Sequence, residues 1–269
     1  MKTVFITGAS SGIGKEAAKL FSKKGWNVIA TMRNPEAEEE LKRLKNIKVL
    51  KCDVTNLDSI QSAVKEGIAA FNGIDVLINN AGYYLLGPLE SMTHEQITRQ
   101  INTNLIGLID VTKEIVPIFR KQKSGTIINL SSIAGIISIP LQTLYHATKW
   151  GVEGFSETLQ YELRQFNIRV KIIEPGVIRT EFCGRSMTLA HDDNLPDYEQ
   201  YSKKVIDNIF KNEKKGSRPE IVAKTIYKAA ISNNNKLRYR TGKFKGLITL
   251  RKILSFKIFT SMMKKQMEN

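Results

Sequence analysis

Short apolar runs that lack a regular solvent-facing alternation recur along the chain: Val4-Phe5-Ile6, Val28-Ile29-Ala30, Val49-Leu50, Val76-Leu77-Ile78, Ile127-Ile128-Asn129-Leu130 and Val170-Lys171-Ile172-Ile173. A strand that is apolar on both sides belongs inside a parallel sheet covered above and below. Between these runs the apolar positions fall at three- and four-residue spacing, which predicts helices over 13–24, 36–45, 57–71, 93–121, 143–166 and 218–232. Strand and helix alternating at this spacing predict parallel βαβ units and an α/β fold built on one doubly wound sheet. Asn233-Asn234-Asn235 is a turn signal, and Leu237-Arg238-Tyr239-Arg240 after it reads as a last strand. The section 181–216 contains Pro196 and many polar residues, and reads as an irregular lid or binding loop.

The chain has 269 residues, of which 42% are hydrophobic and 25% charged, enough for one large domain or two small ones. A formal net charge of +15 raises the question of a polyanionic partner. Its placement narrows that question. From Lys203 to Asn269 there are 18 Lys+Arg and 4 Asp+Glu, a net of +14, which leaves +1 for the preceding residues. Between Lys236 and Lys265 there are ten basic residues and no acidic one. The two cysteines, Cys52 and Cys183, argue against a disulfide framework or a Cys-rich metal site and suit a reducing, cytoplasmic compartment. No leader pattern precedes the first strand, and no uncharged apolar run approaches the roughly 18 residues of a spanning helix. A soluble or peripheral intracellular protein is therefore expected, with no metal.

The first strand runs into Thr7-Gly8-Ala9-Ser10-Ser11-Gly12-Ile13-Gly14 and then into a helix. Glycines there allow a tight turn and a close approach to a pyrophosphate, while the amides of the helix N-terminus face the anion. The spacing is TGxxxGxG rather than the GxGxxG of the general dinucleotide fingerprint. Asn79-Asn80-Ala81-Gly82 follows the fourth strand, Asp53-Val54 the third, and Pro175-Gly176 closes the sixth. Tyr145 and Lys149 stand four apart in a YxxxK arrangement, with Ser132 and Asn104 upstream. On these motifs, residues 1–240 resemble the short-chain dehydrogenases/reductases, and the stretch Tyr145 to Glu157 is similar to their hydroxysteroid and retinol dehydrogenase branch. The resemblance implies a single-domain Rossmann-type fold with helices on both faces. It also implies a catalytic set of Asn104, Ser132, Tyr145 and Lys149. The cofactor-binding residues it implies are Gly8, Ser10, Ser11, Gly12, Ile13, Gly14, Arg33, Asp53, Val54, Asn80, Ala81, Gly82, Tyr145, Lys149, Pro175, Gly176, Val177 and Thr180. Relatives commonly pair through their two long helices, so a homodimer is expected.

The chemistry can also be argued from residue types. Four residues apart on a helix, Tyr145 and Lys149 share a face. A free tyrosine, with a pKa of about 10, is a poor proton donor and acceptor at neutral pH, and a neighbouring ammonium favours its phenolate. Tyr145 would exchange a proton with a carbonyl or alcohol oxygen while a nicotinamide carries the hydride, and Ser132 would orient that oxygen. The resemblance adds that Lys149 holds the nicotinamide ribose and that Asn104 sustains a water-linked relay. His146 lies off the Tyr145/Lys149 face and His94 falls at a helix start, so neither is assigned a catalytic role. After the second strand the text is Ala30-Thr31-Met32-Arg33-Asn34, with no carboxylate to hold a 2′-hydroxyl and with Arg33 placed to meet a 2′-phosphate. NADP(H) is therefore the expected cofactor, and Lys15 is expected to be a solvated helix residue.

The substrate-side loops are apolar: Tyr83 to Leu86, the stretch Ile133 to Thr143 with Ile136, Ile137, Ile139 and Leu141, and Phe182, Met187 and Leu189. Arg185 is the one cationic anchor foreseen among them, so a lipophilic ketone, aldehyde or alcohol is the expected substrate. The organisation expected is a catalytic domain over 1–242, with a lid over 181–216, and a basic amphipathic extension over 243–269. In the extension Leu247, Leu250, Leu254, Ile258 and Met262 predict a cationic amphipathic helix, while Phe256, Phe259 and Met263 project elsewhere. Such a helix suits an anionic membrane surface, and equally packing over the pocket or against a second subunit. A competing class is a non-catalytic NADP-binding redox sensor or membrane-docked regulator, which has no use for a proton relay. Nucleic-acid binding is disfavoured, because no recognisable module accompanies the charge.

Overall fold

The computed structural model describes residues 1–180, 184 and 186–268. Seven strands form one parallel sheet: β1 (Thr3–Ile6), β2 (Asn27–Met32), β3 (Ile47–Lys51), β4 (Val76–Asn79), β6 (Gly125–Leu130), β7 (Ile168–Pro175) and β9 (Arg238–Thr241). Their order is β3-β2-β1-β4-β6-β7-β9, so the chain reverses direction between β1 and β4. In an open α/β sheet that reversal leaves a crevice beyond the carboxyl ends of the strands. β5 (Tyr84–Leu86) and β8 (Met187–Leu189) pair separately, in parallel. The fold is thus the Rossmann-type doubly wound α/β architecture.

Alternate residues of each strand feed opposite layers. Val4 and Ile6 join Ala17, Ala18 and Phe21 of α1 (Gly12–Lys23) and Val222 and Ile226 of α7 (Pro219–Ile231). Phe5, between them, joins Ile60 and Val64 of α2 (Leu57–Phe71) and Ile115 and Phe119 of α4 (Gly107–Gln122) on the other face. Each fully buried Phe or Ile adds about 1.5–3 kcal/mol of apolar burial. The edges of the first layer are joined by ring contacts of Phe21 with Trp26 and with Tyr227, at 5.1 and 5.2 Å.

Five expectations need correction. Over 36–45 there is no α-helix, only two single 3-10 turns, at Pro35–Ala37 and Leu41–Arg43. Glu38 between them is extended and turns inward, where its carboxylate accepts from the Leu41 amide and from Lys15. The part-buried ion pair overrides helical propensity, and Lys15 is tethered to Glu38 and Glu40 at 3.0 Å rather than solvated. The helix expected over 93–121 is α3 (His94–Ile101) and α4 joined by a π turn at Asn102–Ile106. The supposedly irregular 181–216 contains β8 and the helix α6 (Glu199–Lys214), whose buried stripe is only Val205 and Ile209. Finally, the extension is two helices, α8 (Gly246–Ile253) and α9 (Phe256–Glu268), broken at Leu254, where ψ is 146°.

That break changes which residues face inward. Ile248, Phe259, Met263 and Met267 are buried, whereas Leu250 and Ile258 of the expected stripe are exposed. Phe259, Met263 and Met267 share a cluster with Val205 and Ile209 of α6 and with Tyr84 and Tyr145. Asn208 of α6 donates to the carbonyl of Met267 at 3.0 Å. Among the described residues, no helix is long and apolar enough to cross a membrane.

Candidate active site

The loop after β1 carries Gly8 at φ +67° and Gly12 at φ +54°, in the left-handed region where a side chain is strained. A Cβ on Gly14 would stand 2.4 Å from the Gly8 carbonyl oxygen and 2.5 Å from Nδ2 of Asn80, so the first turn of α1 can close on the loop only with hydrogen there. Asn80 clamps that loop from the next strand. Its Nδ2 donates to the carbonyls of Thr7 and Gly8 at 3.0 Å, and Thr7 Oγ1 accepts from the amides of Asn80 and Ala81 at 3.0 Å. The first turn of α1 has no acidic residue and no side-chain cap, which leaves its amides facing the crevice. These features make a cradle for a pyrophosphate.

The crevice is a cleft of about 580 Å³. At one end are Gly8, Ser10, Ser11, Gly12 and Ile13, then Met32 and Arg33 from the end of β2, Asp53 and Val54 after β3, and Asn80, Ala81 and Gly82 after β4. Asp53 is fixed by accepting from the amide and hydroxyl of Thr55 at 2.9 and 2.7 Å. Ser132, Tyr145, Lys149, Pro175, Gly176 and Thr180 complete the wall. Val177 is off it: its amide donates to the Lys243 carbonyl at 3.3 Å, bracing the segment after β7. Gly14 also lies behind the wall, shaping the loop rather than lining it. Cys52 lines the cleft, but burial pushes its thiol up to about 11, out of reach of a nucleophile's role at neutral pH.

Tyr145 and Lys149 project from α5 (Thr143–Leu163) into this cleft. The Lys149 ammonium is 5.7 Å from the centre of the Tyr145 ring and donates to the carbonyl of Leu130 at 2.7 Å. Burial lowers its pKa to about 8, with the charge of Glu153, one turn further along α5, opposing the fall. Ser132 starts a 3-10 turn, and its hydroxyl accepts from the amide of Ala134 at 3.1 Å. Asn104 is not on the cleft wall. It sits buried in the π turn, where its amide group holds both the N–H and the C=O of Tyr83, at 2.9 and 2.8 Å. Its reach to the cleft is therefore through Tyr83, which does line it. An extra residue in a helical turn is what rotates a polar side chain to this position.

Sequence reasoning missed several groups. Arg99 of α3 lines the cleft and lies over the Tyr83 ring at 4.9 Å, a cation where the sequence points only to Arg185. Thr103, Ser131, Ser186 and Thr188 also line it. The apolar walls are mostly elsewhere: Tyr84, Leu86, Ile136, Ile137, Ile139 and Leu141 pack with α6, α8 and α9, while Tyr83 and Met187 face the opening. Phe182, Cys183 and Arg185 lie outside the described residues. His146 is buried with its ring between two backbone groups, Nδ1 donating to the Ala134 carbonyl at 2.7 Å and Nε2 accepting from the Ile139 amide at 3.0 Å. It ties the 133–139 loop to α5, a role that no sequence spacing signals. His94 opens α3, and its Nε2 is 3.3 Å from the Thr98 hydroxyl.

A family model described as short chain dehydrogenase matches residues 2–188. A 3-ketodihydrosphingosine reductase of Bacteroides thetaiotaomicron is 36% identical over 239 residues, covering 89% of this chain and 87% of that protein. A short-chain dehydrogenase from Streptomyces avermitilis is similar in structure, with a TM-score of 0.85 and 28% identity over 98% of each chain. ElxO, solved with NADP bound, has a TM-score of 0.72 and 30% identity, covering 89% of this chain and 97% of its own.

Proposed function

Given that the chain belongs to the short-chain dehydrogenases, we propose that it is an NADP(H)-dependent oxidoreductase that interconverts a lipophilic ketone or aldehyde and the corresponding alcohol. The observation that carries this reading is the convergence of Ser132, Tyr145 and Lys149 on the cleft that opens from the glycine cradle. Gly8, Gly12, Gly14 and the uncapped start of α1 suit a pyrophosphate, and Arg33 beside Met32 suits a 2′-phosphate. When bound, NADP(H) supplies or accepts the hydride. In the reductive direction, the Tyr145 hydroxyl gives its proton to the carbonyl oxygen, which Ser132 holds in place. The Lys149 ammonium stabilises the phenolate that results, and its own position is fixed by the Leu130 carbonyl. Asn104, through Tyr83, orients the backbone beside the site.

The NADP bound to ElxO supports the cofactor, and the name of the Bacteroides relative, a reductase of a keto group on dihydrosphingosine, supports a lipophilic substrate. Tyr83 and Met187, which line the cleft near Tyr145, supply apolar surface for the same class. A homodimer through α4 and α5 fits the exposed Trp150 and Tyr161 on α5 and Ile106 beside α4. A cytoplasmic location fits a chain with two cysteines.

The test is Tyr145→Phe, assayed by NADPH oxidation over a panel of lipophilic ketones and by NADPH binding. Turnover falls by about 10²–10⁴ while cofactor binding persists. Unchanged turnover would remove Tyr145 from the proton step, and a preference for NADH in the unaltered enzyme would overturn the reading of Arg33.

A further inference from the structure

α8 and α9 have two different apolar faces. The inner one, with Ile248, Phe259, Met263 and Met267, is packed in the cluster that contains Tyr145. The outer one is at the corner between the helices, where Ile253 is 74% exposed, Phe256 67% and Ile258 57%, with Leu250 also exposed. Large apolar side chains scattered singly over a surface need no explanation, but four within one short corner do. Arg251, Lys252 and Lys257 are interleaved with them, and the guanidinium of Arg251 lies 5.2 Å from the centre of the Phe256 ring. No acidic residue occurs from Lys236 to Lys265.

We propose that this corner is a docking surface for an anionic lipid bilayer. Apolar side chains flanked by cations match an interface in which acyl chains lie beneath anionic headgroups, so that one contact buries the apolar groups and neutralises the charges. A second copy of the chain would meet the same cations with its own, so like charge disfavours self-pairing there. The opposite face of α9 packs in the cluster of Tyr145, so docking holds the substrate end of the cleft about one helix diameter from the bilayer. For that last consequence alone, the proposal rests on the reading of a lipophilic substrate.

The test is co-sedimentation of the full chain with phosphatidylcholine vesicles, with and without about 30% phosphatidylglycerol, at low and high salt. Binding to the anionic vesicles that weakens with salt is expected. Ile253→Glu/Phe256→Glu lowers the partition coefficient at least about tenfold, and Lys252→Glu/Lys257→Glu lowers it by a similar factor on anionic vesicles only. All four positions lie outside the core, so melting temperature and NADPH-dependent turnover of a soluble ketone stay at their normal values. Equal sedimentation of wild type and variants, or none by the wild type, overturns the proposal. A fall in oligomer mass for the variants in sedimentation velocity also overturns it, because a second copy would then cover the corner. Absent turnover of soluble ketones by the unaltered chain would instead sink the reductase reading and leave docking as measured.

Discussion

Replacing Glu153 by Gln should move the pH dependence of catalysis without touching the reacting groups. Glu153 is one turn beyond Lys149 on α5 and is 5% exposed. Charged groups about 6 Å apart at an effective dielectric of about 20 interact by about 3 kcal/mol. Arg238 holds the same carboxylate at 3.1 Å and also pairs with Glu174 at 3.3 Å, which cancels part of that field. Taking the net effect as half, about 1.4 kcal/mol, removing the carboxylate lowers the pKa of Lys149 by about one unit. Burial has already brought that pKa to about 8. The assay is kcat/KM for a soluble ketone with saturating NADPH across the pH range, and the alkaline limb should move toward acid by about one pH unit. A profile superimposable on wild type, with activity merely scaled down, would refute the reasoning and leave Glu153 a packing residue.

The same substitution has a stability signature of opposite character. Burial, reinforced by the neighbouring charge of Glu174, raises the pKa of Glu153 to about 6, against the pull of Ser131 and Arg238. A carboxyl that holds its proton more tightly when folded contributes stability below its unfolded pKa of about 4.5 and loses it as pH rises through 6. At neutral pH the ionised group therefore costs about 2 kcal/mol, and Gln does not carry that cost. Relative to wild type, the variant should be more stable at pH 7.5 than at pH 4.5 by chemical denaturation.

Two further outcomes follow from packing. Gly14→Ala puts a Cβ 2.4 Å from the Gly8 carbonyl oxygen, so the loop must shift. NADPH affinity should fall at least about tenfold by fluorescence titration with the fold intact by circular dichroism, and wild-type affinity would show that the cradle is not where the cofactor binds. Phe259→Ala removes a ring that is 2% exposed from the cluster joining α9 to α6 and Tyr145. A loss of about 3–5 kcal/mol in urea denaturation is expected, and a loss under about 1 kcal/mol would mean that α9 does not belong to the folded core.

Most of the sheet and much of the cleft were legible in the chain itself. A strand buried on both faces needs only local composition, so β1, β2, β4, β6 and β7 could be read directly. The Gly8 to Gly14 loop and the spacing of Tyr145 and Lys149 are local too, because a turn or one helical face fixes their geometry. What escaped were choices of partner. Glu38 abandons a helix because Lys15, 23 residues away in sequence, lies within reach. Neither the stripe of Val205 and Ile209 in α6 nor that of Phe259, Met263 and Met267 in α9 is strong alone, and each is buried because the other covers it.

Arg99 lines the cleft from α3, and Asn104, inside the π turn that follows, is bonded to the backbone of Tyr83 instead. The sequence by itself determined the strands, the glycine pattern of the nucleotide loop and the Tyr145/Lys149 pair, because each is written in the composition or spacing of a few neighbouring residues, even though the sheet and the Asn80 clamp are closed by partners over 20 residues away. Only the tertiary structure decided how Glu153, Arg238 and Glu174 gather behind Lys149, and which face of α8 and α9 is left to solvent. Those depend on long-range packing, where a side chain's environment is set by whatever the fold brings against it.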